Sequence, residues 1–183
     1  MSELARIEPT TATGEVAELY KQMKKTIGVI PNMAQYMANS PAVLKAWLDL
    51  SGALNQGALP AALRERLALS TAEYNRCTYC LSAHTFLAKN VAKIDQAEID
   101  HARDAASDDP HMDAILKLSD AIARGRGAVD KQDLDDARRA GVTDAEITEV
   151  IGNIALNTLT NYFNVFTDTP SEYPELVTPR HNH

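Results

Sequence analysis

Apolar residues recur at three- and four-residue spacing along almost the whole chain, in runs opened by capping residues and closed by glycine. No run alternates apolar with polar between hairpin turns. That pattern restricts the fold to an all-α arrangement. Val16, Leu19, Tyr20, Met23 and Ile27 form the first such face, stopped by Gly28 and Pro31, and a short helix is expected over 33–37. Ser40-Pro41 supplies a cap and a first-turn proline for a helix carrying Val43, Leu44, Trp47, Leu48 and Leu54, closed by Gly57. Pro60 opens a helix through Leu63, Glu65 and Leu67. Asp95 with Glu98 has the form of a capping box before Ile99, and Asp109-Pro110 opens a run that Gly125 ends. Asp130 begins a short helix stopped by Gly141, and Thr143 with Glu146 caps the last long one.

A chain of 183 residues can bury a substantial core without staples, and its length favours one domain over 1–183 with an irregular tail from about 170 to 183. Two related helical halves are the alternative organisation. Leu48, Leu50, Ser51, Ala53 and Leu54 share a spacing with Leu116, Leu118, Ser119, Ala121 and Ile122, and Gly57 and Gly125 follow three residues later. A formal net charge of -7 and a pI near 5.2 leave no basic face for a phosphate backbone, so nucleic acid is not an expected partner. The first residues lack the basic-then-apolar order of a secretory signal, and a cytoplasmic location is expected. The segment 147–166 comes nearest to a membrane span, but Glu149, Asn153, Asn157, Asn161 and Asn164 interrupt it, and it reads as a core helix rather than a membrane contact.

The segment 65–84 holds both cysteines of the chain and one of its five histidines. On a helix advancing about 100° per residue, Cys80 and His84 stand one turn apart, with Cys77 a turn earlier on nearly the same face. Glu65 lies on the preceding helical segment, and a turn near Asn75 and Arg76 folds its carboxylate back toward that wall; Glu73 is the competing carboxylate. The unsatisfied amides and dipole of a helix start favour thiolate over thiol, lowering a reference pKa of about 8.5 to roughly 3.5 to 7.5. A histidine one turn on takes the Cys80 proton, and a carboxylate orients or charges the imidazole. The chemistry expected of this set is thiol oxidation. Cys80 attacks a hydroperoxide and becomes a sulfenic acid, Cys77 resolves it to a disulfide, and an external dithiol restores the pair. Half of a zinc site and inert packing are the competing readings. Zinc normally wants four ligands, and only His84 and Glu65 stand ready to complete a set.

Arg64-Glu65, Cys77-Thr78-Tyr79-Cys80 and His84 together resemble the signature of the alkylhydroperoxidase AhpD-like group within the carboxymuconolactone decarboxylase superfamily. The spacing of Glu, eleven residues, Cys, two, Cys, three, His is far more specific than a bare Cys-x-x-Cys. Val29-Ile30-Pro31-Asn32 and the helix from Ser40-Pro41 to Trp47 resemble the opening segment of that family, and Ala140-Gly141-Val142-Thr143 resembles its C-terminal half. The resemblance implies an AhpD-like helical fold that assembles as homo-trimers or hexamers. It also implies a cofactor-free peroxidase in which Glu65 and His84 activate Cys80 as the peroxidatic thiol, with Cys77 the more accessible resolving thiol that meets a dithiol or protein reductant. Tyr79 departs from the histidine that the name-giving peroxidases carry before the second cysteine, which puts a lipoamide-linked reductant in doubt.

Two other functions compete with the peroxidase. One is a non-redox decarboxylase or lyase with His84 and Glu65 moving protons, although such decarboxylases act without the cysteine pair. The other is a helical module whose cysteines report redox state. Tyr79 is expected as a half-exposed wall or packing residue, with a hydrogen bond to peroxide as the lesser alternative, and Trp47, Leu48, Leu50 and Leu54 as core. The asparagine stripe 153, 157, 161 and 164 is compatible with solvent, the site or a subunit interface. His101, His111, His181 and His183 read as surface residues, and Asp133, Asp135, Asp136, Arg138 and Arg139 as a solvated face.

Overall fold

A computed structural model describes residues 4–180, and among them it shows nine helices and no strand. The helices are α1 (Gly14–Thr26), α2 (Asn32–Met37), α3 (Pro41–Leu54), α4 (Ala61–Tyr74), α5 (Thr78–Asn90), α6 (Gln96–Arg103), α7 (Pro110–Arg124), α8 (Lys131–Arg139) and α9 (Asp144–Thr167). Local chemistry accounts for most of their ends. Ser40 Oγ accepts from the Val43 amide, and Asp109 accepts from His111 and Met112 with Pro110 in the first turn. Thr143 and Glu146 make the reciprocal capping box at the start of α9.

Half of the expected box at Asp95 is absent. Asp95 accepts from the Glu98 amide at 2.9 Å, but the Glu98 carboxylate turns away to Arg66, Ser107 and the Asp108 amide. A buried guanidinium outcompetes a return bond to a solvated amide, so α6 is pinned to α4. Burial pushes the Glu98 carboxyl up, but the Asp108 amide, the Ser107 hydroxyl and Arg66 overcome it and hold it down to about 2. A depressed carboxyl stabilises the fold above its unfolded pKa. That contribution is expected to disappear as pH falls from about 4.5 through about 2. Glu98→Gln should cost about 3 kcal/mol at neutral pH, because it leaves Arg66 without its counter-charge. Urea denaturation of both proteins across that pH range checks both statements.

Every residue of α4 from 66 to 73 is buried, because α5, α6, α7 and α9 all pack against it. Its C-terminal half joins a cluster with α1, α2, α3, α5 and α6 that contains Met23, Met33, Leu44, Leu69, Leu81 and Ile99. Its N-terminal half joins another with α7, α8 and α9 through Leu63, Leu67, Ile115, Leu116 and Val150. The two copies of the Leu-x-Leu-Ser pattern lie in unlike surroundings. Leu116, Leu118 and Ile122 are buried on α7, whereas α3 buries Leu44 and Trp47 and leaves Leu50 exposed. Gly125 caps α7. Gly57 instead lies beyond the end of α3, where a Cβ would collide with the Glu149 carboxylate that accepts from the amides of Ala58 and Leu59.

The last helix turns its faces opposite to what its composition suggests. Asn153, Asn157, Asn161 and Asn164 are buried, while Ile151, Tyr162, Val165 and Phe166 are more than half exposed. No helix among the described residues is long and apolar enough to cross a membrane.

Over residues 168–180 the tail is irregular in backbone but held at several points. Asp168, in the left-handed region, ends α9. Beyond it, Asn32 donates to Pro170 and Glu172, the Val177 amide donates to Ser82 Oγ, and Arg103 donates to the Thr178 carbonyl. The Arg180 amide reaches Glu73 and its side chain Asp100. The segment is a strap across α2, α5 and α6.

Candidate active site

Backbone geometry at the junction of α4 and α5 sets the site. Asn75 ends α4 and Arg76 adopts a left-handed conformation (φ 57°), reversing the chain within two residues. Cys77 then serves as the N-cap of α5, its sulfur accepting from the Cys80 amide at 3.2 Å. The antiparallel hairpin brings Glu65, near the start of α4, beside the second turn of α5. Glu65 Oε2 lies 2.8 Å from His84 Nδ1, each side chain about one-fifth exposed. The four residues singled out in the sequence are therefore gathered on two adjoining helices. Glu73, the competing carboxylate, is not among them: it is buried against Arg103, 2.8 Å from Nε.

The two thiols are free and both buried, Cys77 1% and Cys80 3% exposed. Their environments differ in sign. Burial pushes the Cys80 thiol up, but a hydrogen bond from Cys77, the charge of His84 and the amides of Asn164 and Asn161 bring it down to about 7. The Cys77 thiol is driven upward by donating to Cys80, by burial and by the charge of Cys80. The helix-start amides of Tyr79 and Cys80 act on Cys77, which is raised nonetheless, so the lowered thiol owes its shift to side-chain neighbours rather than to the helix start. Burial pulls the His84 imidazolium down, but the charge and hydrogen bond of Glu65, and then the charge of Cys80, lift its pKa above the usual histidine range.

A cleft of about 470 Å³ opens over the pair. Cys77 and Asn164 line it, Arg76, Tyr79 and Val165 flank them, and the strap supplies a wall at Pro170, Ser171 and Leu176. Cys77 reaches this cleft and Cys80 sits behind it, so accessibility is a matter of the cleft rather than of surface exposure. Tyr79 is buried rather than half-exposed. Its hydroxyl donates to Glu172 Oε1 at 2.8 Å, and its ring meets Tyr173 edge-on at 5.9 Å.

Residues from the other end of the chain complete the site. Asn164 Nδ2 lies 3.2 Å from Cys80 Sγ and 3.1 Å from Met33 Sδ, and Asn161 Oδ1 accepts from Asn75 at 3.0 Å. The four-residue spacing of the stripe was visible in the sequence. Its inward orientation was not, because asparagine is an ordinary surface residue and the opposite face of α9 is apolar enough to claim the core.

His111 is not an idle surface residue: Nε2 lies 2.8 Å from Glu146 and Nδ1 3.0 Å from the Ala140 carbonyl. His101 stands near Glu98 and Asp108, while His181 and His183 lie outside the described residues.

Residues 41–124 match the carboxymuconolactone decarboxylase family, and this stretch includes the hairpin with its cysteines. The all-helical fold is AhpD-like. The backbone superposes on an uncharacterized peroxidase-related protein with an AhpD core from Ralstonia eutropha, with a TM-score of 0.81, 20% identity and coverage of 93% of this chain and 92% of that one. A peroxidase-related protein from Silicibacter sp. gives a TM-score of 0.77 at 20% identity over 94% and 95% of the two chains. The debrominase Bmp8, in complex with 2,3,4-tribromopyrrole, gives 0.77 at 19% identity over 94% and 92%. These likenesses establish the AhpD-like helical arrangement. In sequence, 98 residues are 28% identical to an alkyl hydroperoxide reductase of Mycobacterium tuberculosis, a match taking in 53% of this chain and 28% of that protein. The chain thus spans little more than a quarter of that relative's length.

The charge of the relay makes one measurable statement about the site. With Glu65→Gln, His84 loses the carboxylate that raises it, carries less positive charge at neutral pH, and holds the Cys80 thiolate less well. The thiolate midpoint is expected to move from about 7 to about one unit higher, read from the ultraviolet absorbance of the thiolate during a pH titration.

Proposed function

We propose that this protein is a thiol peroxidase that reduces organic hydroperoxides through the Cys77–Cys80 pair. The observation that carries the reading is a pair of free, adjoining thiols beside a carboxylate-paired histidine, with the Asn164 amide 3.2 Å from Cys80 Sγ; these neighbours favour the thiolate at Cys80, while donation to Cys80 and burial disfavour it at Cys77. Cys80 is thereby the attacking thiolate and Cys77 the reserve thiol. The low-identity match to an alkyl hydroperoxide reductase supports the same chemistry.

The Cys80 thiolate attacks the terminal oxygen of a hydroperoxide. A sulfur–oxygen bond forms, the oxygen–oxygen bond breaks, and the alkoxide leaves with the electron pair, taking a proton from the His84 imidazolium to become an alcohol. Cys80 is left as a sulfenic acid. The Cys77 sulfur attacks it, a disulfide forms, and hydroxide leaves as water with the Cys77 proton. An external dithiol, small or protein-borne, then reduces the disulfide by exchange and is itself oxidised. His84 is recharged from solvent, with Glu65 holding the ring in place and favouring its charged form.

The test is stoichiometric. One equivalent of cumene hydroperoxide added to the reduced protein is expected to give one equivalent of alcohol and one Cys77–Cys80 bridge, seen by peptide mapping without reduction. Dithiothreitol should then support turnover. No bridge, or a bridge with no alcohol formed, sinks the peroxidase and leaves the non-redox and sensor alternatives. The exposed apolar side of α9 is the surface on which a second copy of the chain would pack. Phe166→Asp, at the most exposed of these residues, should lower the mass measured by light scattering if it does.

A further inference from the structure

Among the described residues, three buried side-chain nitrogen or oxygen atoms have no hydrogen-bond partner: Thr85 Oγ1, Asn161 Nδ2 and Asn164 Oδ1. Two of the three belong to asparagines beside the reactive sulfur. An orphaned buried amide group costs about 1–3 kcal/mol, so a donor and an acceptor left open beside one thiol need a reason. Their orientation is set by their other ends. Asn164 directs Nδ2 at the sulfurs of Cys80 and Met33, which turns Oδ1 away from both. Asn161 accepts at Oδ1 from Asn75, the residue that ends α4, which leaves Nδ2 facing Cys80 without bonding to any described residue. Asn161 is 0% and Asn164 3% exposed, and Asn164 lines the cleft over the pair.

We propose that Asn161 and Asn164 form an amide clamp for the peroxide group, with Asn164 Oδ1 accepting from its O–H and Asn161 Nδ2 donating to its departing oxygen. The proposal rests on the peroxidase reading above and names the residues that recognise the substrate. A hydroperoxide carries one donor, on the terminal oxygen, and acceptor sites on both oxygens, which complements the open acceptor and open donor. An alcohol or a thioether lacks that pairing across two adjacent atoms. During attack the terminal proton stays on the oxygen that becomes the sulfenic acid, so Asn164 Oδ1 holds it without removing it. Negative charge collects on the other oxygen as the bond breaks, and the Asn161 N–H meets it in a site that excludes water, before His84 supplies the proton. The same Asn164 side chain holds the thiolate through Nδ2, placing nucleophile and substrate on one amide.

Two rates on the same protein separate a clamp from a merely structural role. Each variant is treated with cumene hydroperoxide and, separately, with iodoacetamide, at a pH above its own thiolate midpoint. Alkylation needs the thiolate but no peroxide recognition, so the ratio of the two rates cancels changes in pKa and in exposure. Asn161→Asp keeps the acceptor for Asn75, replaces the donor with a carboxylate oxygen and adds a charge whose effect on the thiolate midpoint the ratio cancels; it is expected to lower the ratio about 100-fold, and the uncharged Asn164→Leu by a similar factor. Asn157→Leu, in the same stripe but with its amide bonded to the Asn153 carbonyl, should leave the ratio unchanged. A ratio equal to wild type in both site variants overturns the clamp, as does an equal fall in Asn157→Leu. Wild-type protein no faster toward peroxide than a free thiol at the same pH would defeat the peroxidase reading itself, a distinct result visible before any variant is made.

Discussion

Cys80→Ser is expected to abolish dithiothreitol-dependent hydroperoxide turnover, with a loss of at least about 1,000-fold. Serine is close in size and accepts the same hydrogen bonds, so the buried environment is kept while the nucleophile is lost. A hydroxyl does not ionise near pH 7 under the influences that bring this thiol there. Cys77→Ser is expected to behave differently. It retains the donor toward Cys80 and so the thiolate, reacts once, and stops as a sulfenic acid that a dimedone probe traps. Coupled absorbance assays for turnover and mass spectrometry of the trapped adduct read the two outcomes. Equal turnover by wild type and Cys80→Ser, or loss of the first reaction in Cys77→Ser, would reverse the assignment of attacking and resolving thiol. Cys80 receives hydrogen bonds from Cys77 and Asn164, with the Asn161 amide and the His84 charge close by, whereas Cys77 is raised by donating to Cys80 and by burial.

The largest effect on stability is expected at a pair that takes no part in the chemistry. Arg103→Met should destabilise the protein by about 3–5 kcal/mol, because it strips the guanidinium from a buried carboxylate. Glu73 is 1% exposed on α4, with Arg103 Nε at 2.8 Å and Nη2 at 2.7 Å, and Arg103 also holds the Thr178 carbonyl. The substitution therefore loosens the strap as well as the helix pair. Chemical denaturation measures the first effect. The second should appear as faster proteolysis within 170–180 and as faster alkylation of the thiols behind that wall. The double substitution Glu73→Gln with Arg103→Met is expected to recover part of the loss, since it removes the unpaired charge. A single substitution costing less than about 1 kcal/mol would mean that the pair is better hydrated than its burial indicates.

The helices were legible in the sequence because their signals are local. Ser40-Pro41, Asp109-Pro110 and Thr143 with Glu146 each specify a helix start from residues within four positions, and the periodicity of Leu63, Leu67 and their neighbours specifies a face. The pairing of Glu65 with His84 was legible for the same reason: one tight turn at Asn75 and Arg76 forces two consecutive helices antiparallel. Reasoning by neighbourhood misled where a distant partner competed. Glu98 gave up its local cap for Arg66, thirty-two residues away. Tyr79 was buried by Glu172 and Tyr173, which lie near the other end of the chain. The irregular backbone of the tail was legible in its prolines, but the contacts that hold residues 168–180 were not, because sequence without periodicity gives no hint of them.

By itself the sequence determined an all-helical chain and a cluster of two thiols, an imidazole and a carboxylate, since spacing along one helix and across one turn settles which of these side chains meet. Only the tertiary structure decided what else surrounds the attacking thiol, because Asn161 and Asn164, more than eighty residues on, turn a polar face of α9 inward and add to the effects of Cys77 and His84. A helix with one polar and one apolar stripe satisfies the same periodicity in either orientation. What chooses between them is the surface it packs against, in this case a hairpin whose buried sulfur and amide groups need hydrogen-bond partners that an apolar stripe lacks.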